Sequence, residues 1–134
     1  MKFDADNGGE KTNKLGSKVT VAGDGTNIST TITQTGDDTT IKVALGKDIN
    51  VNTVTATKTV KAGTATMGTQ SVTDNKSAAQ NGNFVSGLDN KNWTLTDPAY
   101  VSGRAATEDQ LKIVSDAVKA ANASASDYRL IANP

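Results

Sequence analysis

Apolar residues change their spacing along this chain near position 107, from strict alternation to a helical repeat. Upstream, short runs alternate between apolar and polar residues with a period of two, and turn residues separate the runs. Downstream, the apolar positions step by three and four, at Leu111, Val114, Val118, Ala121, Ala125, Tyr128 and Ala132. The pattern predicts a mainly β chain that ends in an α-helix.

Four period-two segments predict short, half-buried strands in the first half of the chain. The apolar positions of these segments are Val19 and Val21, then Ile28 and Ile32, then Ile41, Val43 and Leu45, and finally Ile49 and Val51. Turn signals stand between the segments, at 23–25, 36–38 and 46–48. From 53 to 72 the alternation continues in Thr, Val, Ala and Lys, residues of which Thr and Val suit a pleated surface. Residues 73–83 lack periodicity and are predicted to be a connection.

The start of the helix carries a capping signal. Thr107 and Gln110 have the spacing of a capping box, in which each side chain satisfies a backbone N–H of the other residue. Glu108 and Asp109 place negative charge at the positive end of the helix dipole. A helix from Thr107 to about Ala125 would be roughly 28 Å long, too short to be stable alone in water. Its narrow apolar seam predicts partner helices, with fraying or a further domain from residue 127 to 134.

Composition also favours assembly. Leu, Ile, Val and Phe together make 25 of the 134 residues, which is at the lower limit for chains that build a core of their own. Disordered chains of such composition usually have a high net charge, whereas this chain has 14 basic and 14 acidic residues. We therefore expect a core that several chains share. The balanced charge gives no reason to expect nucleic acid or an anionic membrane as a partner.

The chain contains neither cysteine nor histidine, which excludes disulfides, thiolate nucleophiles and the Ser-His-Asp type of hydrolase site. We expect a protein that is not an enzyme, with no catalytic residue, no cofactor and no metal ligand. Gly23-Asp24-Gly25 and Asp37-Asp38 fit solvated turns better than a calcium loop or an acid/base pair. No run is apolar and long enough to be a signal peptide or to span a bilayer, so membrane insertion by these residues is not expected.

The segment from Phe84 to Trp93 concentrates aromatic residues in a chain that is 4% aromatic, and it predicts a packing centre. The series Val85-Ser86-Gly87-Leu88-Asp89-Asn90-Lys91-Asn92-Trp93, followed by the stretch from Tyr100 to Lys112, resembles the tryptophan-ring segment and neck of trimeric autotransporter adhesins of Gram-negative bacteria. Upstream, 18–21, 23–28 and 43–49 are similar to the β-prism modules of that family named for a Gly-Ile-Asn motif. The tripeptide here reads Asp48-Ile49-Asn50.

The resemblance implies a parallel homotrimer whose β-prism is intertwined and leads through a neck into a short three-stranded coiled coil. It implies a polar entry segment at 1–14, a β-prism region at 15–83, a tryptophan-ring segment at 84–101, and the neck with the start of the coiled coil at 102–134. Trp93 would lie near the threefold axis. Neck residues would be Arg104, Thr107, Glu108 and Gln110, and Leu111, Val114 and Val118 would form the first part of the trimer seam.

The same resemblance implies a fibre displayed on the outer membrane, exported by type V secretion and acting in virulence, with its anchor outside these residues. Such a segment would contribute to attachment to host cells, matrix or other surfaces, and the whole fibre would bind a host matrix protein, cell-surface protein or glycan. Two alternatives remain open: a structural spacer that binds nothing, and a trimeric phage tail-fibre segment. The sequence singles out no receptor-binding residue, because it lacks the cluster of Tyr, Trp and Arg typical of an interface hot spot.

Overall fold

The protein is described by a computed structural model that covers residues 1–132, with side chains through residue 129. Seven strands precede one helix: β1 (Lys2–Phe3), β2 (Lys11–Thr12), β3 (Ile28–Thr35), β4 (Asp38–Leu45), β5 (Thr59–Ala62), β6 (Ala65–Thr73), β7 (Ala79–Ser86) and α1 (Glu108–Ala132). The chain divides into two units, Met1–Val54 and Thr55–Pro134. The prediction of a mainly β chain with a C-terminal helix is confirmed.

The first unit contains two antiparallel hairpins. β1 and β2 form a two-residue ladder within the polar segment at 1–14, and an ion pair of 3.6 Å joins Lys2 to Glu10 beside it. β3 and β4 pair over eight residues each, from Thr35 opposite Asp38 at the turn to Ile28 opposite Leu45 at the open end. The predicted turn at 36–38 is present as a two-residue connection, with Gly36 at a positive φ of 59°.

The second unit contains a three-stranded antiparallel sheet in the order β5-β6-β7. β6 is its central strand, and its Met67 lies opposite Val60 on one side and Val85 on the other. The β6–β7 connection is a short turn in which the Asp74 N–H donates to the Ala78 carbonyl at 2.9 Å. After β7, a segment of 21 residues without helix or strand leads to α1.

Three details of the predicted secondary structure are wrong. Residues 17–27 and 49–58 contain no strand, although Val19, Val21, Ile49 and Val51 alternate as strand residues do. Among the described residues no strand forms a ladder with these segments, and Lys58 alone accepts a strand N–H with its carbonyl, from Thr69 at 2.9 Å. Alternation alone does not make a ladder. Residues 79–83, predicted as part of a connection, belong to β7. β7 is rich in Asn, Gln and Gly and shows no apolar alternation. Its backbone pairing with β6 was therefore not visible in the sequence pattern.

The helix begins where the sequence predicts and ends later. It runs through Ala132 rather than ending near Ala125, and its residues 126–132 contain no Gly or Pro that would stop it. The predicted fraying from residue 127 is therefore not seen through 132, and positions 133 and 134 of that prediction lie outside the described residues.

No apolar residue is buried among the residues that the structure describes. The accessible surface of the single chain is 12119 Å², whereas a folded monomer of 13.8 kDa exposes about 6,600 Å². Strand pairing and turns thus define the backbone without giving either unit a core. A shared core was predicted from the low content of apolar residues. In the single chain, these few apolar residues are not buried and form part of the large exposed surface.

Candidate assembly site at the start of the helix

Thr107 and Gln110 form both hydrogen bonds of the predicted capping box. The Thr107 N–H donates to Oε1 of Gln110 at 3.2 Å, and the Gln110 N–H donates to Oγ1 of Thr107 at 3.3 Å. The first helical bond follows at once, from the Leu111 N–H to the Thr107 carbonyl at 3.1 Å. These bonds satisfy N–H groups that the first turn of a helix cannot satisfy by itself.

Asn90 connects this cap to the segment that follows the sheet. Its Nδ2 donates to the Ala105 carbonyl at 2.8 Å and to Oε1 of Gln110 at 3.1 Å. Its own carbonyl accepts a hydrogen bond from Oγ1 of Thr107 at 2.7 Å. The Thr107 hydroxyl therefore donates to one side of the site and accepts from the other, and residues 90 and 107 are held together as the two ends of a closed loop.

Gln110 is the centre of the site. It is 6% exposed and is the one buried residue in the part of the chain that the structure describes. Its Oε1 accepts from Asn90 and Thr107, while its Nε2 donates to the Asn92 carbonyl at 2.9 Å. A buried amide with both ends bonded is stable, whereas one with a lost partner carries a desolvation cost. We refer to Asn90, Asn92, Ala105, Thr107 and Gln110 as the amide hub.

Trp93 and Arg104, both predicted as site residues, lie on the loop that the amide hub closes. Trp93 is half-buried and Arg104 is exposed. Both line a depression of about 280 Å³, together with Gln110 and Pro98. The Arg104 N–H donates to the Val101 carbonyl at 3.2 Å in a turn that contains Gly103 at a φ of 84°. The loop thus brings the tryptophan, the arginine and the centre of the hub to one depression.

The predicted seam residues Leu111, Val114 and Val118 lie on the first three turns of α1, and all three are exposed in the single chain. Glu108 is the first helical residue and, with Asp109, places negative charge in the first turn. The structure therefore brings Thr107 and Gln110 together with Trp93 and Arg104, and leaves the seam side chains without intrachain cover.

Asn90 and Asn92 were missed at the sequence level. Neither has a spacing signal, because their partners lie 15 to 20 residues away and are reached by folding of the loop. The turn series Gly87-Leu88-Asp89-Asn90 marks a change of direction, but it does not tell which later residues the amide meets. An amide in a turn directly upstream of a capping box was the only available hint.

Two aspartates outside the amide hub hold turns in the same way. Oδ1 of Asp24 accepts the N–H groups of Ile28, Thr26 and Asn27 at 2.8, 2.9 and 2.7 Å, and these bonds hold the pKa of Asp24 below its ordinary value of 3.8.

Asp74 accepts the Ala78 N–H, the Gln80 side-chain amide and the Lys76 N–H. Those bonds lower the pKa of its carboxyl as well. Asp24 thus holds the turn before β3, and Asp74 the turn between β6 and β7.

In the first unit, a side-chain amide also ties two loop segments together, one before β3 and one after β4. Oδ1 of Asn27 accepts the Asn50 N–H at 2.7 Å, and Nδ2 of Asn27 donates to the Asn50 carbonyl at 3.0 Å. The Asn27 carbonyl in turn accepts the Gly46 N–H at 2.7 Å. Asn50 is the last residue of the Asp48-Ile49-Asn50 tripeptide, so this segment is fixed beside the open end of the β3–β4 hairpin.

The chemistry available at these sites is hydrogen bonding and packing. Among the described residues there is no group of three or more acidic, cysteine or histidine residues that could hold a metal ion. Within the same residues, no helix has the length and apolar character needed to cross a membrane. The amide hub can fix the direction in which α1 leaves the sheet, and the exposed seam can pack against other helices.

Comparison with known proteins points to one family. Over 100 residues the chain is 38% identical to the trimeric autotransporter adhesin AtaA of Acinetobacter sp. (strain Tol 5). The chain is similar to a trimeric autotransporter adhesin. The aligned part is 75% of this chain and 2% of that adhesin, so the chain spans a small fraction of its relative's length. No family model matches the chain, and no solved structure matches it. The similarity supports the family that the tryptophan-ring and neck residues indicate.

Proposed function

We propose that this chain is an extracellular segment of a bacterial trimeric autotransporter adhesin and that it works as a homotrimer. The observation that carries the proposal is the absence of any buried apolar residue among residues 1–129, in a chain that is 38% identical to such an adhesin over 100 residues. A chain with ordered strands and no core of its own needs its apolar surface covered by other chains. Similarity to an adhesin also favours a binding or structural role over catalysis.

In the proposed trimer, the β units form an intertwined prism, Trp93 belongs to the tryptophan-ring segment, Arg104 belongs to the neck, and three α1 helices start a parallel coiled coil. The seam residues Leu111, Val114 and Val118 would face the axis, where their present exposure becomes burial. A tryptophan near a threefold axis meets two copies of itself, so Trp93 would supply three large apolar surfaces to one cluster.

The amide hub has a clear part in this assembly. A coiled coil requires three helices that enter in the same direction and register, and a helix entry held by six directed hydrogen bonds has one orientation. Each chain carries its own hub, so each helix would be oriented before it meets its partners. Such preorganisation lowers the entropic cost of assembly.

The whole fibre would be displayed at the surface of a Gram-negative bacterium and contribute to attachment to host cells, matrix or other surfaces. Host proteins and glycans are the classes of partner that we propose for the fibre. For this segment alone, a spacer role is the second candidate. The face of the β3–β4 hairpin that is mostly Ser and Thr favours the spacer role, because it has no aromatic or arginine anchor for a receptor.

Light scattering coupled to size exclusion tests the trimer. We expect a mass three times the 13.8 kDa of the chain, and a well-folded monomer would overturn the proposal. Immobilised host matrix proteins and glycans, probed with the trimer, then separate attachment from spacing. A Trp93→Ala variant serves as the control for binding that depends on the assembled neck, and cleavage of a polysaccharide in the same panel would favour a tail-fibre segment.

A further inference from the structure

The β3–β4 hairpin separates apolar from polar side chains completely enough to define two faces. The register pairs Ile28 with Leu45, Thr30 with Val43, and Ile32 with Ile41, and residues paired in register project from the same face. One face therefore carries all five large apolar residues of the hairpin, Ile28, Ile32, Ile41, Val43 and Leu45, and we call it the apolar face. Three polar residues share that face, namely Thr30, Gln34 and Thr39. The other face carries Ser29, Thr31, Thr33, Thr35, Asp38, Thr40, Lys42 and Ala44.

Within the chain the apolar face is partly covered only near its open end, where Ile28 and Thr30 are half-buried and Oγ1 of Thr30 donates to the Val21 carbonyl at 2.9 Å. Ile32, Val43 and Leu45 are 67%, 59% and 64% exposed. A hairpin of two strands is at best marginally stable in water unless its apolar face packs against something. The size of this face, with three large side chains more than half exposed, marks an interaction surface rather than scattered surface residues.

Contacts next to both strands at the open end of the hairpin hold that end in place and leave most of this face free. Before β3, Asp24 accepts three successive backbone N–H groups, ending at Ile28. After β4, the Gly46 N–H is bonded to the Asn27 carbonyl, and Asn50 is bonded to the Asn27 side chain. The surface is thus preorganised, which is typical of an interface that forms without refolding.

We propose that the apolar face of the β3–β4 hairpin is the contact through which the first unit packs against the same hairpin in the other copies of this chain. The proposal rests on the proposed homotrimer and adds which surface of Met1–Val54 takes part. The apolar face would pack against the other copies, and the Thr-rich face would point toward solvent.

Another copy is favoured over a foreign partner by the area to be covered. Each chain exposes on the order of 5,000 Å² more than a folded monomer of its mass, which is the scale of obligate subunit interfaces. Neither unit has a buried apolar residue in the described part of the chain. Whatever covers the apolar residues must therefore be bound to every folded chain. A copy of the chain meets that requirement at every site, whereas a separate receptor would be present only on binding.

Thiol accessibility tests the proposal, because the chain has no cysteine and a single introduced thiol is unique. Val43→Cys places the thiol on the apolar face, and Thr40→Cys, three residues earlier in β4, places it on the polar face. Both positions are exposed in the single chain, and both changes replace a β-branched residue by one of similar size. The rate of maleimide labelling is measured for each native variant and for the same variant in denaturant, with the mass of each measured by light scattering.

We expect Val43→Cys to react at least tenfold more slowly in the native trimer than in denaturant, and Thr40→Cys to react at nearly the same rate in both. Equal native rates for the two variants, or protection of Thr40→Cys alone, would overturn the inference. If the mass is that of a trimer while Val43→Cys reacts freely, only this inference fails. If the mass is that of a monomer, the proposed function fails with it.

Discussion

Nδ2 of Asn90 lies 3.1 Å from Oε1 of Gln110, across a separation of twenty residues, and this hydrogen bond closes the loop that carries Trp93. Gln110 also belongs to the capping box of α1, so one buried side chain serves both the loop and the helix. Removing it would disturb two elements with a single change.

Gln110→Leu should lower the free energy of unfolding by about 3 kcal/mol per chain, because the Asn92 carbonyl loses its donor, the Thr107 N–H loses its acceptor and the Asn90 amide loses one of its two acceptors. Gln80→Leu is the matched control. Gln80 is exposed and donates one hydrogen bond, to Oδ2 of Asp74 at 3.0 Å, so its loss should cost clearly less. Urea unfolding at equal protein concentration measures both, since assembly makes stability depend on concentration. Similar losses in the two variants would contradict a central role for Gln110.

Trp93→Ala should be more destabilising than removal of the helix cap. If the three tryptophans pack together, truncation costs about 3–5 kcal/mol per chain, against about 1 kcal/mol for Thr107→Ala. Trp93 is the only tryptophan, so its fluorescence reports its surroundings without a label. We expect native emission to be blue-shifted from that of the unfolded chain and to shift to the red on dilution below the assembly concentration. Tyr100→Ala, at a residue 71% exposed in the single chain, is the control. A smaller loss for Trp93→Ala than for Thr107→Ala would argue against axial packing.

The start of the helix was predictable because a capping box is a local signal. Thr107 and Gln110 are three residues apart, and their bonds follow from that spacing. The β3–β4 hairpin was predictable for a similar reason, since clear alternation flanks a turn signal at Gly36. Asn90 was not predictable, because its role depends on a loop that returns fifteen to twenty residues later.

The strand predictions at Val19, Val21, Ile49 and Val51 failed for a different reason. Alternation reports that one face of a segment suits burial, but a strand also requires a neighbouring backbone, which the single chain does not supply there. β7 shows the reverse case. Its Asn, Gln and Gly residues carry no alternation, yet its backbone pairs with β6 over eight residues. In both cases, the presence or absence of a neighbouring strand decided whether a strand formed, and the local sequence pattern did not.

Acid should weaken the turns held by Asp24 and Asp74. The pKa of each carboxyl is lowered in the folded chain, chiefly by the N–H of Ile28 for Asp24 and of Ala78 for Asp74. Each bonded carboxylate therefore contributes stability above the ordinary pKa of 3.8, and this contribution is lost as pH falls through the lower, folded value. Asp24→Asn should show a smaller loss of unfolding free energy between neutral pH and a pH well below 3.8 than the parent chain does.

Asp37→Asn, in the β3–β4 turn, is the control for that comparison. Within the described residues, the carboxylate of Asp37 accepts no backbone hydrogen bond, so this variant separates the loss of the Asp24 hydrogen bonds from the loss of one negative charge. Urea midpoints at the two pH values provide the measurement. An Asp24→Asn variant with an undiminished acid loss would show that its hydrogen bonds to Thr26, Asn27 and Ile28 do not stabilise the turn.

Gly87→Ala should be far more damaging than Gly103→Ala, although both glycines have positive φ, 77° and 84°. A β-carbon at Gly87 would overlap the Thr64 carbonyl, and the Thr64 hydroxyl donates to the Gly87 carbonyl at 2.8 Å, so the two backbones cannot separate without losing that bond. At Gly103 a β-carbon meets no atom within 4 Å, which leaves only the cost of the left-handed conformation, about 1 kcal/mol. For Gly87→Ala we expect a loss of about 3 kcal/mol or more per chain, since strain and the lost bond add. Thermal unfolding of both variants at one protein concentration measures the difference. Equal shifts in the unfolding temperature would mean that residues 64 and 87 can move apart at little cost. The segment after β7 would then not be held against the β5–β6 turn.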